Sequence, residues 1–291
     1  MTGLVQRAAW REALDGDTCI SPAGVFDAVS ARAAEAAGYR LGLLSGSVAA
    51  ATILAAPDLN VLTLTELADV TRRITRASRL DLLVDADHGY GNALSVWRTA
   101  EELEHAGAAG ISIEDTDLPA AFGQEEGANA NISIMEMVGK LRAAVRARRN
   151  PSFVVAGRTS ALRSEGLPSV LSRVRAYGSA GVDAIFVTGL HTLDELSAIH
   201  DAARLPIILG SDTPFRDRKD LAACGGRVLL EGNEPFAASV AALHQAYDHL
   251  REGVVVAKPA GHDRGRDTID RLVNGETYRQ RVREYLTESL D

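Results

Sequence analysis

Cysteine is scarce in this chain: 291 residues contain two, Cys19 and Cys224. They lie far apart and show none of the close spacings of metal-ligating pairs, which argues against a thiolate metal centre. Two buried thiols in a reducing compartment is a better reading of them than one structural disulfide. Long apolar runs are also missing. No stretch approaches the roughly 20 apolar residues of a membrane span, and residues 1–12, with Arg7 and Arg11, lead into no apolar segment of the kind a secretory leader needs. The chain therefore reads as cytoplasmic, with no membrane partner. Positive charge is in deficit, with 31 Lys and Arg against 39 Asp and Glu and a formal net charge of -8. That balance argues against nucleic acid as a partner. No Gly-x-Gly-x-x-Gly follows the first apolar run, which counts against a dinucleotide fold.

What the chain does have is rhythm. Hydrophobic residues make up 46% and charged residues 24%, an ordinary globular balance with enough apolar surface for a large core. A short N-terminal helix is expected over one end of the domain. Strands are expected at 19–27, 41–44, 82–84, 110–113, 152–156, 183–187, 206–209 and 227–230. Helices follow at 28–37, 64–78, 93–106, 133–148, 168–177, 192–203, 217–224 and 235–251. Thr63 with Glu66 makes a capping box for the second of these. The strands are continuous apolar runs rather than alternating ones, as in parallel sheets covered by helices on both faces. Eight such units favour an α/β fold of the (β/α)8 TIM type over residues 1–252. Residues 253–291 turn polar and read as a helical extension. One irregular stretch, 117–131, interrupts the rhythm and has the length of a lid or binding loop.

In such a barrel function gathers at the C-terminal ends of the strands. The third strand ends in Asp85-Ala86-Asp87-His88-Gly89-Tyr90-Gly91-Asn92, and the i, i+2 spacing puts Asp85 and Asp87 on one side of an extended chain. Glu114 ends the fourth strand. Three carboxylates on neighbouring strand ends repel one another unless a cation joins them. Mg²⁺ suits the set because it takes one or two carboxylates and keeps several waters. His88 is the one nearby imidazole, which argues against a transition metal, and its expected part is to orient an acid or cap the turn. Arg158, after the fifth strand, is placed either for bidentate capture of a substrate carboxylate or phosphonate, or for a salt bridge to Glu114 or Asp115, and the two are compatible. Ser45-Gly46-Ser47 offers hydroxyls and backbone N–H groups to an anion, or makes an ordinary turn. Thr188, Asp212 and Glu231 read as turn residues.

Taken in order, Ser45-Gly46-Ser47-Val48, Ala56-Pro57-Asp58, Asp85 to Asn92, Ile113-Glu114-Asp115-Thr116 and Gly157-Arg158-Thr159 resemble the isocitrate lyase/phosphoenolpyruvate mutase superfamily, most closely its oxaloacetate decarboxylase branch. The resemblance covers most of the chain to about Arg251. It implies Mg²⁺ held directly by Asp85, with Asp87, Glu114 and Asp58 acting through waters. It also implies a 2-oxo acid bound by Ser47 and Arg158, with Ser45, Gly46, Ser211 and Asn233 in the substrate site. A homo-oligomer, dimer or tetramer, with a C-terminal helix swapped between neighbours, is the expected assembly.

Two departures bear on the substrate. The superfamily's lyases and mutases carry a Lys-Lys-Cys-Gly loop after the fourth strand, where this chain has Phe122 to Asn129 with neither lysine nor cysteine. The decarboxylase branch carries a tyrosine after strand seven and a histidine after strand eight, where this chain has Ser211 and Asn233. The expected activity is Mg²⁺-dependent decarboxylation of a 2-oxo dicarboxylate such as oxaloacetate through a metal-stabilised enolate. A C–C lyase or phosphonopyruvate-type enzyme is the first alternative, and a non-catalytic dicarboxylate-binding barrel the second.

Overall fold

Eight strands form a single sheet in which every neighbouring pair is parallel and the spatial order follows the sequence. The structure is a computed structural model and describes residues 8–123, 130–253 and 262–286. Helix α1 (Ala9–Asp15) precedes β1 (Ala23–Gly24) and α2 (Ala28–Ala36), and β2 (Leu41–Leu44) leads into α3 (Gly46–Leu54) and α4 (Leu64–Ala77). Then come β3 (Asp81–Asp85), α5 (Ala93–His105), β4 (Gly110–Glu114), α6 (Ile134–Ala147) and β5 (Val154–Thr159). A one-turn helix α7 (Ala161–Ser164) and α8 (Leu167–Ala180) lead to β6 (Ala184–Val187), α9 (Leu193–Ala203), β7 (Ile207–Leu209), α10 (Arg218–Ala223) and β8 (Gly226–Leu229). Helices α11 (Glu234–Arg251), α12 (His262–Leu272) and α13 (Gly275–Tyr285) complete the series. Ile20 bridges Val228 in parallel, its N–H donating to the Arg227 carbonyl at 2.9 Å while Leu229 N–H donates back to the Ile20 carbonyl at 2.8 Å. The segment before β1 thus lies beside β8.

The alternation of side chains along each strand divides the core in two. One apolar set, including Leu83, Val154, Ala156, Ala184, Ile208 and Val228, packs on the sheet's inner face, and α1 joins it with Trp10. Trp10 is fully buried, and its indole N–H donates to the Asp81 carbonyl at 2.8 Å, so α1 covers the strand starts. The other set, including Leu82, Val84, Ile111, Ile113, Val155 and Ile185, meets the surrounding helices. The opposite end of the inner face, where Asp85, Glu114 and Arg158 continue the inward rows, is left polar.

Several expected boundaries shift for physical reasons. The first strand is two residues long instead of spanning 19–27: Pro22 has no N–H to give to a ladder, and Asp27 already caps α2. Ser45-Gly46-Ser47 is not a turn but the start of α3, with Ser45 at the N-cap. That helix is apolar on nearly every side, so no 3.6-residue contrast marks it in the sequence. Arg158 lies within β5, paired with Glu114 on one side and Phe186 on the other. Both cysteines are free thiols, but only Cys19 is buried; Cys224 is half-buried. Helix α11 buries none of its residues and leaves Val240, Leu243, Tyr247 and Leu250 exposed. Among the described residues no helix is long and apolar enough to cross a membrane.

Candidate active site

A cavity of about 510 Å³ opens at the C-terminal ends of the strands. Strand register explains who meets there. Asp85 of β3 stands opposite Ser112 of β4, and Glu114 stands opposite Arg158 of β5. All four point to the inner face, so the cluster follows from alternation and pairing alone. Asp85 accepts a hydrogen bond from Ser112 Oγ at 2.8 Å and an ion pair from Arg158 Nη1 at 2.5 Å. Arg158 Nε lies 3.4 Å from Glu114 Oε2, a contact that lacks hydrogen-bond geometry and leaves this buried N–H without a partner. The guanidinium rests on the Phe186 ring, 5.0 Å from its centroid. Of the two expected salt-bridge partners, Arg158 takes Glu114; Asp115 turns to the outer face.

Asp87 lies beyond the strand in a left-handed conformation, φ 47°, and is nonetheless buried. Its carboxyl reaches the cavity because Gly46, the first residue of α3, has no side chain. A Cβ there would meet Asp87 Oδ1 at 2.5 Å. The opposite side of the same helix start carries the polar group expected of it. Ser45 Oγ and Ser47 Oγ are 2.8 Å apart, and Asn233 Nδ2 donates to Ser47 Oγ at 3.2 Å. Asp58 and Ser211 also line the cavity, Asp58 at an exposed rim. Every expected site residue except Gly46 lines it directly, and Gly46 acts through the clearance it gives Asp87.

The electrostatics are unbalanced: Asp58, Asp85, Asp87 and Glu114 share Arg158. Burial, then the charges of Asp85, Glu114 and Asp58, pushes the Asp87 carboxyl up to about 8, with Arg158 opposing. Burial also raises Glu114, against the pull of Arg158. Burial alone would lower Arg158, but Asp85 and Glu114 outweigh it and hold its proton more tightly. An acid that keeps its proton at neutral pH marks an unmet demand for positive charge. That donor set, all carboxylate oxygens, suits a hard divalent cation. Among the described residues no three His, Cys, Asp or Glu side chains already converge as a closed metal site. One direct carboxylate with the others reached through waters needs no such convergence.

His88 and Tyr90 stay outside the cavity lining. Burial, then Lys140, pushes His88 down to about 4, so the imidazole is neutral. It packs beside Tyr90, ring centroids 5.9 Å apart, and its Nδ1 and the Tyr90 hydroxyl are buried without hydrogen-bond partners. Lys140 Nζ donates to the His88 carbonyl at 3.1 Å and holds the turn. Sequence reasoning missed Ser112, Phe186 and Arg163, all of them at the site. Ser112 had a signal, since it is a polar residue two before Glu114 in an apolar strand. Of the lid stretch, residues 124–129 lie outside the described residues, while Leu118 lines the cavity and Thr116 bridges Asn131.

Residues 13–251 match the phosphoenolpyruvate phosphomutase family. The chain belongs to that family. An oxaloacetate decarboxylase of Rhodopseudomonas palustris (strain BisB5) is 45% identical over 282 residues, covering 97% of this chain and 96% of that one. Solved structures of other enzymes overlay closely on this chain. Oxaloacetate acetylhydrolase in complex with the inhibitor 3,3-difluorooxalacetate gives a TM-score of 0.85 at 28% identity, over 98% of this chain and 99% of that one. Phosphonopyruvate hydrolase in complex with oxalate and Mg²⁺ gives 0.83 at 27% identity, over 97% and 99%.

Proposed function

We propose that the chain is a Mg²⁺-dependent decarboxylase of a 2-oxo dicarboxylate, oxaloacetate, working in the mouth of a closed (β/α)8 barrel. The observation that carries the reading is the crowd of carboxylates around Arg158, facing the hydroxyl and amide of Ser47 and Asn233. The Ile20–Val228 bridge supports closure. The decarboxylase relatives support the substrate, and the Mg²⁺–oxalate complex of phosphonopyruvate hydrolase supports the cation.

Asp85 would hold the cation directly, with Asp87, Glu114 and Asp58 through waters; when bound, it supplies Lewis acidity to the C1 carboxylate and C2 oxygen of a 2-oxo acid. The chain's own residues do the rest. Arg158, over the Phe186 ring with its Nε–H unpartnered, receives the C1–C2 end of the substrate, and Ser47 and Asn233 offer further donors there. The C3–C4 bond then breaks, CO₂ leaves, and the electron pair is taken up as an enolate conjugated with the C2 oxygen. No base or nucleophile has to start that step, which accords with the absence of lysine and cysteine from Phe122 to Asn129. With His88 neutral and both His88 and Tyr90 outside the cavity lining, water from the open mouth supplies the proton at C3.

The barrel takes residues 1–252 and the extension 253–291. The exposed apolar residues of α11, with Tyr278, Val282 and Tyr285 of α13, support a homo-oligomer in which these helices pack on a neighbour. The free thiols support a cytoplasmic location. Initial rates with oxaloacetate, phosphonopyruvate and a 2-methylisocitrate-like acid, with Mg²⁺ and after chelation, test the reading. Pyruvate formed from oxaloacetate only when Mg²⁺ is present is the expected result. Consumption of phosphonopyruvate or of the branched acid in its place would transfer the chain to the lyase or hydrolase activities. Oxalate binding with no turnover of any of the three would make it a binding barrel.

A further inference from the structure

The far wall of the cavity holds a second charged pair, which the proposed chemistry has not used. Two arginines line the cavity among the described residues. Arg158 is committed to the acids of β3 and β4. The other, Arg163 on α7, pairs through Nη2 with Asp212 Oδ2 at 2.5 Å. Gly189, after β6, donates its N–H to the same oxygen at 2.5 Å. We propose that Arg163, steadied by Asp212, selects a substrate with a second, distal carboxylate, an inference that rests on the 2-oxo dicarboxylate reading above.

The pair is more than a chance surface contact. The Arg163 stem runs over Gly189, where φ is 79° and a Cβ would meet Arg163 Cγ at 2.5 Å. At Gly210 a Cβ would collide with Asp212 Oδ1. Each partner thus lies in a space that only glycine leaves open. The turn that carries Arg163 is anchored from below: Asn131 Nδ2 donates to Ser164 Oγ at 3.2 Å and to Glu165 Oε1 at 2.8 Å. Arg173 Nη2 holds the same Glu165 oxygen at 2.9 Å. The Arg163 side chain stays 58% exposed and lines the cavity, where a ligand can meet it.

Charge decides what it meets. A four-carbon 2-oxo diacid with its C1–C2 end at Arg158 has its second carboxylate repelled by Asp58, Asp87 and Glu114. The cation lining the other wall is Arg163. In the reaction the C3–C4 bond breaks, its electron pair stays with C3, and C4 departs as neutral CO₂. A cation on the C4 carboxylate therefore favours bound substrate over the transition state, and it contributes affinity without contributing to kcat. Asp212 shares the guanidinium charge and so limits the hold on the departing group.

The test uses the full chain with Mg²⁺ and the variants Arg163→Gln and Arg163→Lys. For Arg163→Gln, KM for oxaloacetate rises about tenfold, the scale of one exposed charge-assisted contact, while kcat is unchanged or higher. Inhibition by oxalate, which has no distal arm, shifts less than about twofold, and Arg163→Lys recovers part of the loss. An unchanged KM, an equal weakening of oxalate, or a fall in kcat at constant KM would overturn the proposal. If the unaltered chain binds oxaloacetate without turning it over, the decarboxylase reading fails alone, and calorimetric affinities for oxaloacetate and oxalate carry the same comparison. If it binds neither, both readings fail.

Discussion

Glu114 and Asp115 are consecutive acids at the end of β4, and strand alternation sends them to opposite faces and into two different ion clusters. Glu114 joins Asp58, Asp85 and Asp87 around Arg158 in the cavity. Asp115, fully buried, meets the Tyr177 hydroxyl at 2.6 Å and Arg173 Nη1 at 3.2 Å, and Arg173 reaches on to Glu165. Burial raises Asp115, against Tyr177, Thr159 and Arg173, just as it raises Glu114; the two clusters part company at the acids beside them. Burial would push Glu165 up, but Ser169, Arg173 and Asn131 outweigh it and draw it down to about 2. Asp87, with acids for neighbours, is driven up to about 8. A cluster that draws donors from α8 to Asp115 Oδ2 and to Glu165 fixes that helix and the neck of the 117–131 stretch to the sheet, although Asp115 Oδ1 has no hydrogen-bond partner. A cluster short of them is unfinished without a ligand.

The sharpest way to break this comparison is to remove one acid from the inner cluster and one cation from the outer. Asp85→Ala should lower the Mg²⁺-dependent rate at least about a thousandfold, with folding intact by circular dichroism. Undiminished Mg²⁺-dependent turnover would sink the assignment. Arg173→Met should leave Asp115 buried without its cation and cost about 3 kcal/mol, seen as a lower urea midpoint. An unchanged midpoint would mean that the outer cluster holds nothing together.

Acid and base should then pull the two clusters apart. In the unfolded chain Asp87 ionises near 3.8, whereas the folded, metal-free site keeps its proton up to about 8. Between those values the folded state binds the extra proton, so its stability falls as pH rises, and Asp87→Asn should flatten that slope. Mg²⁺ binding near pH 7 should release about one proton, read as a buffer-dependent calorimetric enthalpy. Glu165 has the opposite sign: 4.5 unfolded against about 2 folded, so its contribution is present at neutral pH and lost as pH falls from about 4.5 towards 2. Glu165→Gln should flatten that acid limb and leave the Mg²⁺-linked proton release alone. The smallest effect belongs to Asn131→Ala, which removes two exposed hydrogen bonds to Ser164 and Glu165 and should cost under about 1 kcal/mol by thermal unfolding.

The sequence carried the eightfold rhythm and the inner cluster because both are local. Asp85, Asp87 and Glu114 sit at fixed distances from the apolar runs that precede them, and alternation gives their direction. The same rule sends Asp115 outward, yet nothing local names its partner, because Arg173 is on α8 and arrives only by tertiary packing. Asp212 reads as a turn residue from its Gly-Ser-Asp context, and only the fold brings Arg163 across β6 to meet it. Helix α3 escaped because a helix apolar on nearly all sides shows no contrast, and Ser-Gly-Ser mimics a turn. Clusters made between distant elements leave no spacing to read.

The missing side chain at position 46 reaches beyond this one chain. The first turn of α3 and the carboxyl of Asp87 compete for the same few cubic ångströms, and glycine is the residue that lets both remain. Any substitution there obliges a descendant to give up either the start of that helix or the seat of the acid. A survey of related chains can therefore be sorted on one position: where glycine is replaced, the acid two residues past the third strand should be moved or lost.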